Sequence, residues 1–318
     1  MKLVFLDIKT VGEVPNMHLL ESFGEVTYYQ TTSPGQTLER VRDADIVISN
    51  KVVVNRPIIE QAPNLKLICV AATGTNNVDK VAAQERGIPV MNVADYSSKS
   101  VAQGTFALLL HLLNNIPFYD DYVKRGAYSQ SDIFTYLERP FREINGKRFG
   151  IIGLGNIGRQ VAKIAEAFGA EVVYYSASGQ SYQQPYLRLD LEEFLRTSDI
   201  ISIHAPLNEC TFNLINYERL RLMKRSAVLI NAGRGGIVNE ADLARALNEG
   251  LIAGAGIDVF EKEPISVQNP LLQVRDKERL VLTPHVTWAS IESRTLLIEK
   301  VAQNIQESIR ESALVVKS

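Results

Sequence analysis

Short runs rich in Val, Ile and Leu recur along the chain, separated by stretches whose apolar residues return every three or four positions. The first pattern is that of buried strands and the second that of amphipathic helices. In the first hundred residues the strand candidates are Leu3–Leu6, Val26–Tyr29, Ile46–Ser49, Leu67–Ala71 and Val90–Val93. Helix-like stretches between them include Thr37–Asp43, Pro57–Ala62 and Asp79–Arg86. From residue 148 the alternation resumes, with strands expected at Phe149–Ile152, Glu171–Tyr175, Ile200–His204, Ala227–Asn231, Gly256–Phe260 and Leu280–Thr283. Helices are expected at Arg159–Phe168, Leu191–Arg196, Tyr217–Met223, Glu240–Glu249 and Ile291–Arg310. Apolar strands that each lead into a helix predict parallel sheets covered on both faces. The fold class is therefore α/β, with two doubly wound parallel-sheet domains.

Between the two halves, Ser98–Leu113 keeps helical spacing in Val101, Thr105, Leu108, Leu109 and Leu112, while Phe106, Leu110 and Leu113 make a second apolar face. A helix apolar nearly all round is expected to be buried on all sides, in a core or in a subunit interface. Pro117 ends it.

Phe149–Ile152 then runs into Gly153, Gly155 and Gly158, spaced G-x-G-x-x-G, with a helical pattern directly after. Strand, tight turn and helix are the setting in which this spacing binds a dinucleotide. The first glycine permits the sharp turn, the second lets backbone approach a pyrophosphate, and the third allows close helix–strand packing. Amides at the helix start, around Asn156 and Ile157, then face the phosphates with the helix dipole behind them. The early loop Ala71–Asn77 holds a single glycine and carries no such fingerprint. A fingerprint placed this late implies a Rossmann dinucleotide-binding domain, residues 101–290, inserted into a flavodoxin-like substrate domain of residues 1–100 and 291–318. The last helix is expected to return to the substrate domain, and the active site to lie in the cleft between the two.

Composition narrows the function classes. A net charge of −2 gives no electrostatic footprint for nucleic acid or an anionic membrane. No segment approaches the roughly 18 apolar residues of a membrane span, and the first residues read as a strand, not a signal peptide. Cys69 and Cys210 are expected to be buried thiols in a reducing compartment, which makes the cytoplasm the default location.

Ligands in doubly wound sheets bind beyond the carboxyl ends of strands. There the chain places His204-Ala205-Pro206, then Ala232-Gly233-Arg234-Gly235, then Asp258 with Glu263, and lastly Thr283-Pro284-His285 with Trp288 just beyond. An arginine, an acid and a histidine at three successive strand ends suit hydride transfer to a carbonyl. The oxygen needs an acid, and histidine titrates in the right range. A carboxylate beside His285 would favour the imidazolium, and Arg234 can grip a substrate carboxylate and the charge building on oxygen. Taken singly these residues have plainer readings. Glu263 could be a solvated acid, Asp258 could satisfy strand-end amides, and His204 could shape a loop. His18 and His111 are read as structural, and no metal site is expected.

The ordered set Gly153–Gly158, His204-Ala205-Pro206 with Thr211, Asn231–Gly235, Gly256–Phe260 with Glu263-Pro264, and Thr283-Pro284-His285 resembles the D-isomer-specific 2-hydroxyacid dehydrogenase family. The resemblance covers essentially the whole chain. It implies substrate binding by Arg234, acid/base chemistry by His285 and support from Glu263. It also implies that backbone amides around Thr73 and Gly74 receive the substrate carboxylate, and that cofactor contacts involve His204, Thr211, Ala232, Gly233 and Asp258. The family usually forms homodimers, through the region of the apolar helix. Tyr96–Gln103, Ala167-Phe168-Gly169 and Trp288 look most like glycerate dehydrogenases, also called hydroxypyruvate reductases. Glyoxylate or D-lactate enzymes and nucleotide-sensing corepressor relatives are the alternatives.

One position departs from the pattern. The acid that receives the adenosine ribose, about 20 residues past the fingerprint's start, is replaced by Ser176. No carboxylate is left there to repel a 2′-phosphate, yet no arginine stands in Ser176–Gln184, Arg188 being the nearest. The expected cofactor is NAD, with NADP possible.

Overall fold

In a computed structural model, which describes residues 1–179 and 185–315, the apolar runs form strands; the run expected at Gly256–Phe260 does so two residues earlier, over Gly254–Ile257, and among the described residues no α-helix lies between it and the last strand. Residues 180–184, at the end of the stretch beginning at Ser176, and residues 316–318 lie outside the described part. The chain divides into two units, residues 1–97 with 289–318, and residues 98–288.

The first unit holds β1 (Lys2–Phe5), β2 (Glu25–Tyr28), β3 (Ile46–Ser49), β4 (Leu67–Val70) and β5 (Val90–Asn92), all parallel, in the order β2-β1-β3-β4-β5. Helices α1 (His18–Glu21), α2 (Pro34–Val41), α3 (Arg56–Glu60) and α4 (Lys80–Glu85) connect them. Both β3 and β4 are buried along their whole length, as Val and Ile on both faces of a covered sheet require. The last helix, α11 (Ile291–Val315), belongs to this unit. Its Leu297, Ile298, Val301 and Ile305 are fully buried, and Arg294, Lys300 and Asn304 bond the backbone oxygens of Val11, Ala94 and Asn92.

The second unit opens with α5 (Ser98–Asn114) and α6 (Ile116–Lys124), in whose first turn Pro117 sits. It continues through β6 (Arg148–Ile152), α7 (Asn156–Ala167), β7 (Glu171–Tyr175), β8 (Leu187–Arg188), α8 (Leu191–Thr197) and β9 (Ile200–Ile203). After these come α9 (Tyr217–Leu220), β10 (Val228–Asn231), α10 (Glu240–Glu249), β11 (Gly254–Ile257) and β12 (Leu280–Leu282). The sheet runs β12-β11-β10-β9-β6-β7-β8 and is parallel throughout. Its seventh strand, β8, was not expected. Leu187-Arg188, two exposed residues at a sheet edge, make no run of apolar positions.

Two expectations need correction. Helix α5 is not buried all round: Lys99, Gln103, Ala107 and His111 form an exposed stripe at four-residue spacing. Its other faces join the core of its own unit, where Ala102, Phe106, Leu108 and Leu109 pack with Phe149 and Ile151. Cys69 is buried and its thiol is pushed up to about 12 by burial, but Cys210 is exposed. His18 and His111, read as structural, lie exposed.

Candidate active site

The three fingerprint glycines do three different jobs. Gly153 turns the chain at φ +89°, and a Cβ there would meet the backbone of His204 and Ala205. Gly158, inside α7, presses against the Gly153 carbonyl, where a Cβ has no room. At Gly155, the N-cap of α7, a Cβ would meet nothing within 4 Å. Open space is thus held in front of a helix start, where the first amides lack intrahelical acceptors and an anion is favoured. These residues fit the pyrophosphate of a dinucleotide.

A cavity of about 520 Å³ lies at this turn, and Gly153, Gly155, Ser176, Ala205, Pro206 and Thr211 line it together. The buried Thr211 donates to the Pro206 carbonyl at 2.7 Å and accepts from the Asn208 amide at 2.8 Å, which fixes the loop after β9. His204 points elsewhere. Its Nε2 is 2.7 Å from Ser202 Oγ, and burial pushes its pKa down to about 3, so the ring is neutral. Among the residues lining the cavity that sequence reasoning passed over are Arg159, Ser178 and Asn208. Arg159 follows the third glycine directly, a position with no signature of its own.

The strand ends of β10, β11 and β12 carry the reactive groups. Asn231 staples the loop after β10, its amide donating to the Arg234 carbonyl at 3.0 Å and its oxygen accepting from the Gly233 amide at 3.1 Å. Arg234 is exposed. Its neighbour Gly235 packs against the Phe260 carbonyl and the Glu261 amide so closely that no Cβ could fit. The loops bearing Arg234 and Glu263 therefore touch through backbone. Glu240, buried at the start of α10, accepts from the Glu261 amide at 2.7 Å and from the Asn269 side chain at 2.5 Å, anchoring the segment that carries Glu263. Glu263 Oε1 accepts from the Phe260 amide at 3.1 Å, and its Oε2 lies 2.8 Å from His285 Nδ1. With Nδ1 engaged by the carboxylate, Nε2 is the ring atom left to meet a ligand.

His285 is held in an uncommon way. It adopts φ +54°, in the left-handed region. Its amide donates to the Asp258 carbonyl at 2.8 Å. The fully buried Asp258 carboxylate receives Thr283 Oγ1 (2.6 Å) and the Val286 amide (2.9 Å) on one oxygen, and Thr287 Oγ1 (2.6 Å) and its amide (3.1 Å) on the other. About four acceptor sites are all that a carboxylate has, and the chain fills them. Asp258 thus clamps the loop that presents His285. Trp288, half-buried, follows on this loop, and Thr73 and Gly74 are exposed after β4 in the first unit.

A doubly wound sheet with this turn and an acid–histidine pair at neighbouring strand ends is that of an oxidoreductase using NAD(P). The model of the D-isomer specific 2-hydroxyacid dehydrogenase NAD binding domain matches residues 106–287. A glycerate dehydrogenase of Methylorubrum extorquens is 40% identical over 306 residues, which span 96% of this chain and 95% of that protein. A D-lactate dehydrogenase of Aquifex aeolicus, solved with NAD and lactic acid, superposes with a TM-score of 0.81 at 27% identity, covering 100% of this chain and 98% of the other. An NADPH-dependent glyoxylate/hydroxypyruvate reductase of Sinorhizobium meliloti, solved with NADP and malonate, gives a TM-score of 0.78 at 26% identity over 96% and 91%. This chain belongs to the D-isomer specific 2-hydroxyacid dehydrogenase family, and its cofactor is NAD(P).

Proposed function

We propose that the protein reduces a short 2-oxo acid to a D-2-hydroxy acid in the cytoplasm as a homodimer, with hydroxypyruvate and D-glycerate as the pair that fits best. The observation that carries the chemistry is the 2.8 Å contact between His285 Nδ1 and Glu263 Oε2. A bound reduced nicotinamide supplies the hydride. The chain supplies the rest. His285 donates a proton from Nε2 to the carbonyl oxygen, and Glu263 fixes the ring's orientation and supports its positive charge. Arg234 binds the substrate carboxylate and the oxygen on which charge builds. Support for hydroxypyruvate comes from the glycerate dehydrogenase relative and from Trp288, a bulky ring three residues past the acid that suits a small substituent.

Hydroxypyruvate, glyoxylate and pyruvate, each tested with both reduced cofactors, separate the readings by the loss of nicotinamide absorbance. Hydroxypyruvate is expected to show the highest kcat/KM, and His285→Ala to lose on the order of 10² to 10⁴ in turnover. A higher kcat/KM for glyoxylate or pyruvate would replace the substrate. Tight cofactor binding without turnover of any 2-oxo acid would instead favour a nucleotide sensor.

A further inference from the structure

Helix α5 carries Ser100, Gly104, Leu108 and Leu112 four residues apart, so one helix face presents all four. Two of them meet glycines of β11. A Cβ built on Gly256 would lie 3.0 Å from Leu108 Cβ, and one on Gly254 would lie 3.4 Å from Leu112 Cδ2. Glycine weakens a strand interior and marks a place where another element comes close. In β11, Gly254-Ala255-Gly256-Ile257, it does so twice. The helix is thus seated along the strand that leads into Asp258.

The other two residues of the stripe meet the loop that presents His285. Ser100 Oγ donates to the Thr287 carbonyl at 2.6 Å. A Cβ on Gly104 would lie 2.6 Å from Thr287 Cγ2, 2.7 Å from its Cβ and 3.1 Å from its Cα. Thr287 has little freedom to turn aside, because its hydroxyl and its amide both donate to Asp258 Oδ2. Gly104 has no positive φ to accommodate, and a glycine inside a helix is otherwise unfavourable. What the fold uses at this position is the missing side chain.

We infer that Ser100 and Gly104 are positioning residues for the proton donor: α5, seated on β11, holds Thr287 and through it the loop that presents His285, two positions earlier. This rests on the reading of His285 as that donor. The test uses the full chain and whichever of hydroxypyruvate, glyoxylate and pyruvate the wild type reduces fastest. Gly104→Ala must displace Thr287 and is expected to lower kcat roughly tenfold to a hundredfold, the cost of a misplacement of about 1 Å. Ser100→Ala should lower it roughly threefold to tenfold, the worth of one hydrogen bond, and serves if the glycine variant does not fold. Ser100→Thr keeps the hydroxyl and should recover most of that loss. In both alanine variants the Kd of the reduced cofactor should stay as in the wild type, while the solvent deuterium isotope effect on kcat rises, because a misplaced acid slows proton transfer. A purely structural contact would lower the melting temperature and leave the isotope effect unchanged. Wild-type kcat in both alanine variants, or a lower kcat with an unchanged isotope effect, would overturn the positioning role while His285→Ala still loses turnover. Full turnover in His285→Ala would overturn the donor and the positioning role together.

Discussion

At the scale of single residues, the buried Asp258 and the half-buried His204 show how differently a strand end can use its side chain. Asp258 has its acceptor positions filled by hydroxyls and amides and keeps the His285 loop in a left-handed turn. His204 carries no charge, and burial has moved its pKa from the ordinary 6.5 to about 3. The sign follows from proton counting. Between about pH 3 and 6.5 the unfolded chain holds a proton on this ring and the native chain does not, so stability rises with pH across that window and falls as the solution is acidified. Taking the native ring as neutral, His204 should cost the wild type about 2 kcal/mol of stability between pH 7 and pH 5. Urea unfolding of wild type and His204→Gln at both pH values reads this difference. An unchanged gap between the two proteins would show that the buried ring does accept the proton.

At the scale of elements, the glycines separate packing from binding. Gly235 joins the β10 and β11 loops by backbone contact, so Gly235→Ala must push apart the segments that carry Arg234 and Glu263. Overpacking of that kind costs about 1–3 kcal/mol, and kcat/KM should fall with the melting temperature. Gly155→Ala has open space for its methyl group and should keep its thermal stability while losing dinucleotide affinity. Melting curves and cofactor titrations of the two variants check this, and an equal loss of stability would refute the distinction. The same contrast explains what the sequence made legible. The strands β3, β4, β9 and β10 were readable because both of their faces are buried and filled with Val and Ile. By contrast, the start of α7 was expected three residues late, because its first turn, Asn156–Gly158, carries a glycine and no apolar periodicity of its own. The plainer reading of Asp258, as an acceptor of strand-end amides, was legible, but that the donors come from the loop carrying His285 depends on what the fold brings near it.

At the scale of the whole molecule, Phe134 is 89% and Leu137 73% exposed, on the segment that follows α6. They adjoin a cavity of about 530 Å³ that they line with Tyr122, Tyr128 and Phe141. Apolar exposure on this scale marks an interaction surface, and a second copy of the chain is the partner in the proposed homodimer. Sedimentation velocity should therefore find twice the chain mass, with Phe134→Asp and Leu137→Asp together shifting it to one chain; a wild-type monomer at micromolar concentration would rule the dimer out. Among the described residues no helix is long and apolar enough to cross a membrane. The divided first unit has a consequence for how the protein is made. Residues 98–288 are contiguous, so the second unit can close while the ribosome is still at work, whereas the first unit lacks Leu297, Ile298, Val301 and Ile305 until α11 emerges. At cellular synthesis rates that leaves the sheet of the first unit without its last covering helix for roughly 10 to 40 s, so of the two units the one begun earlier is the one completed later.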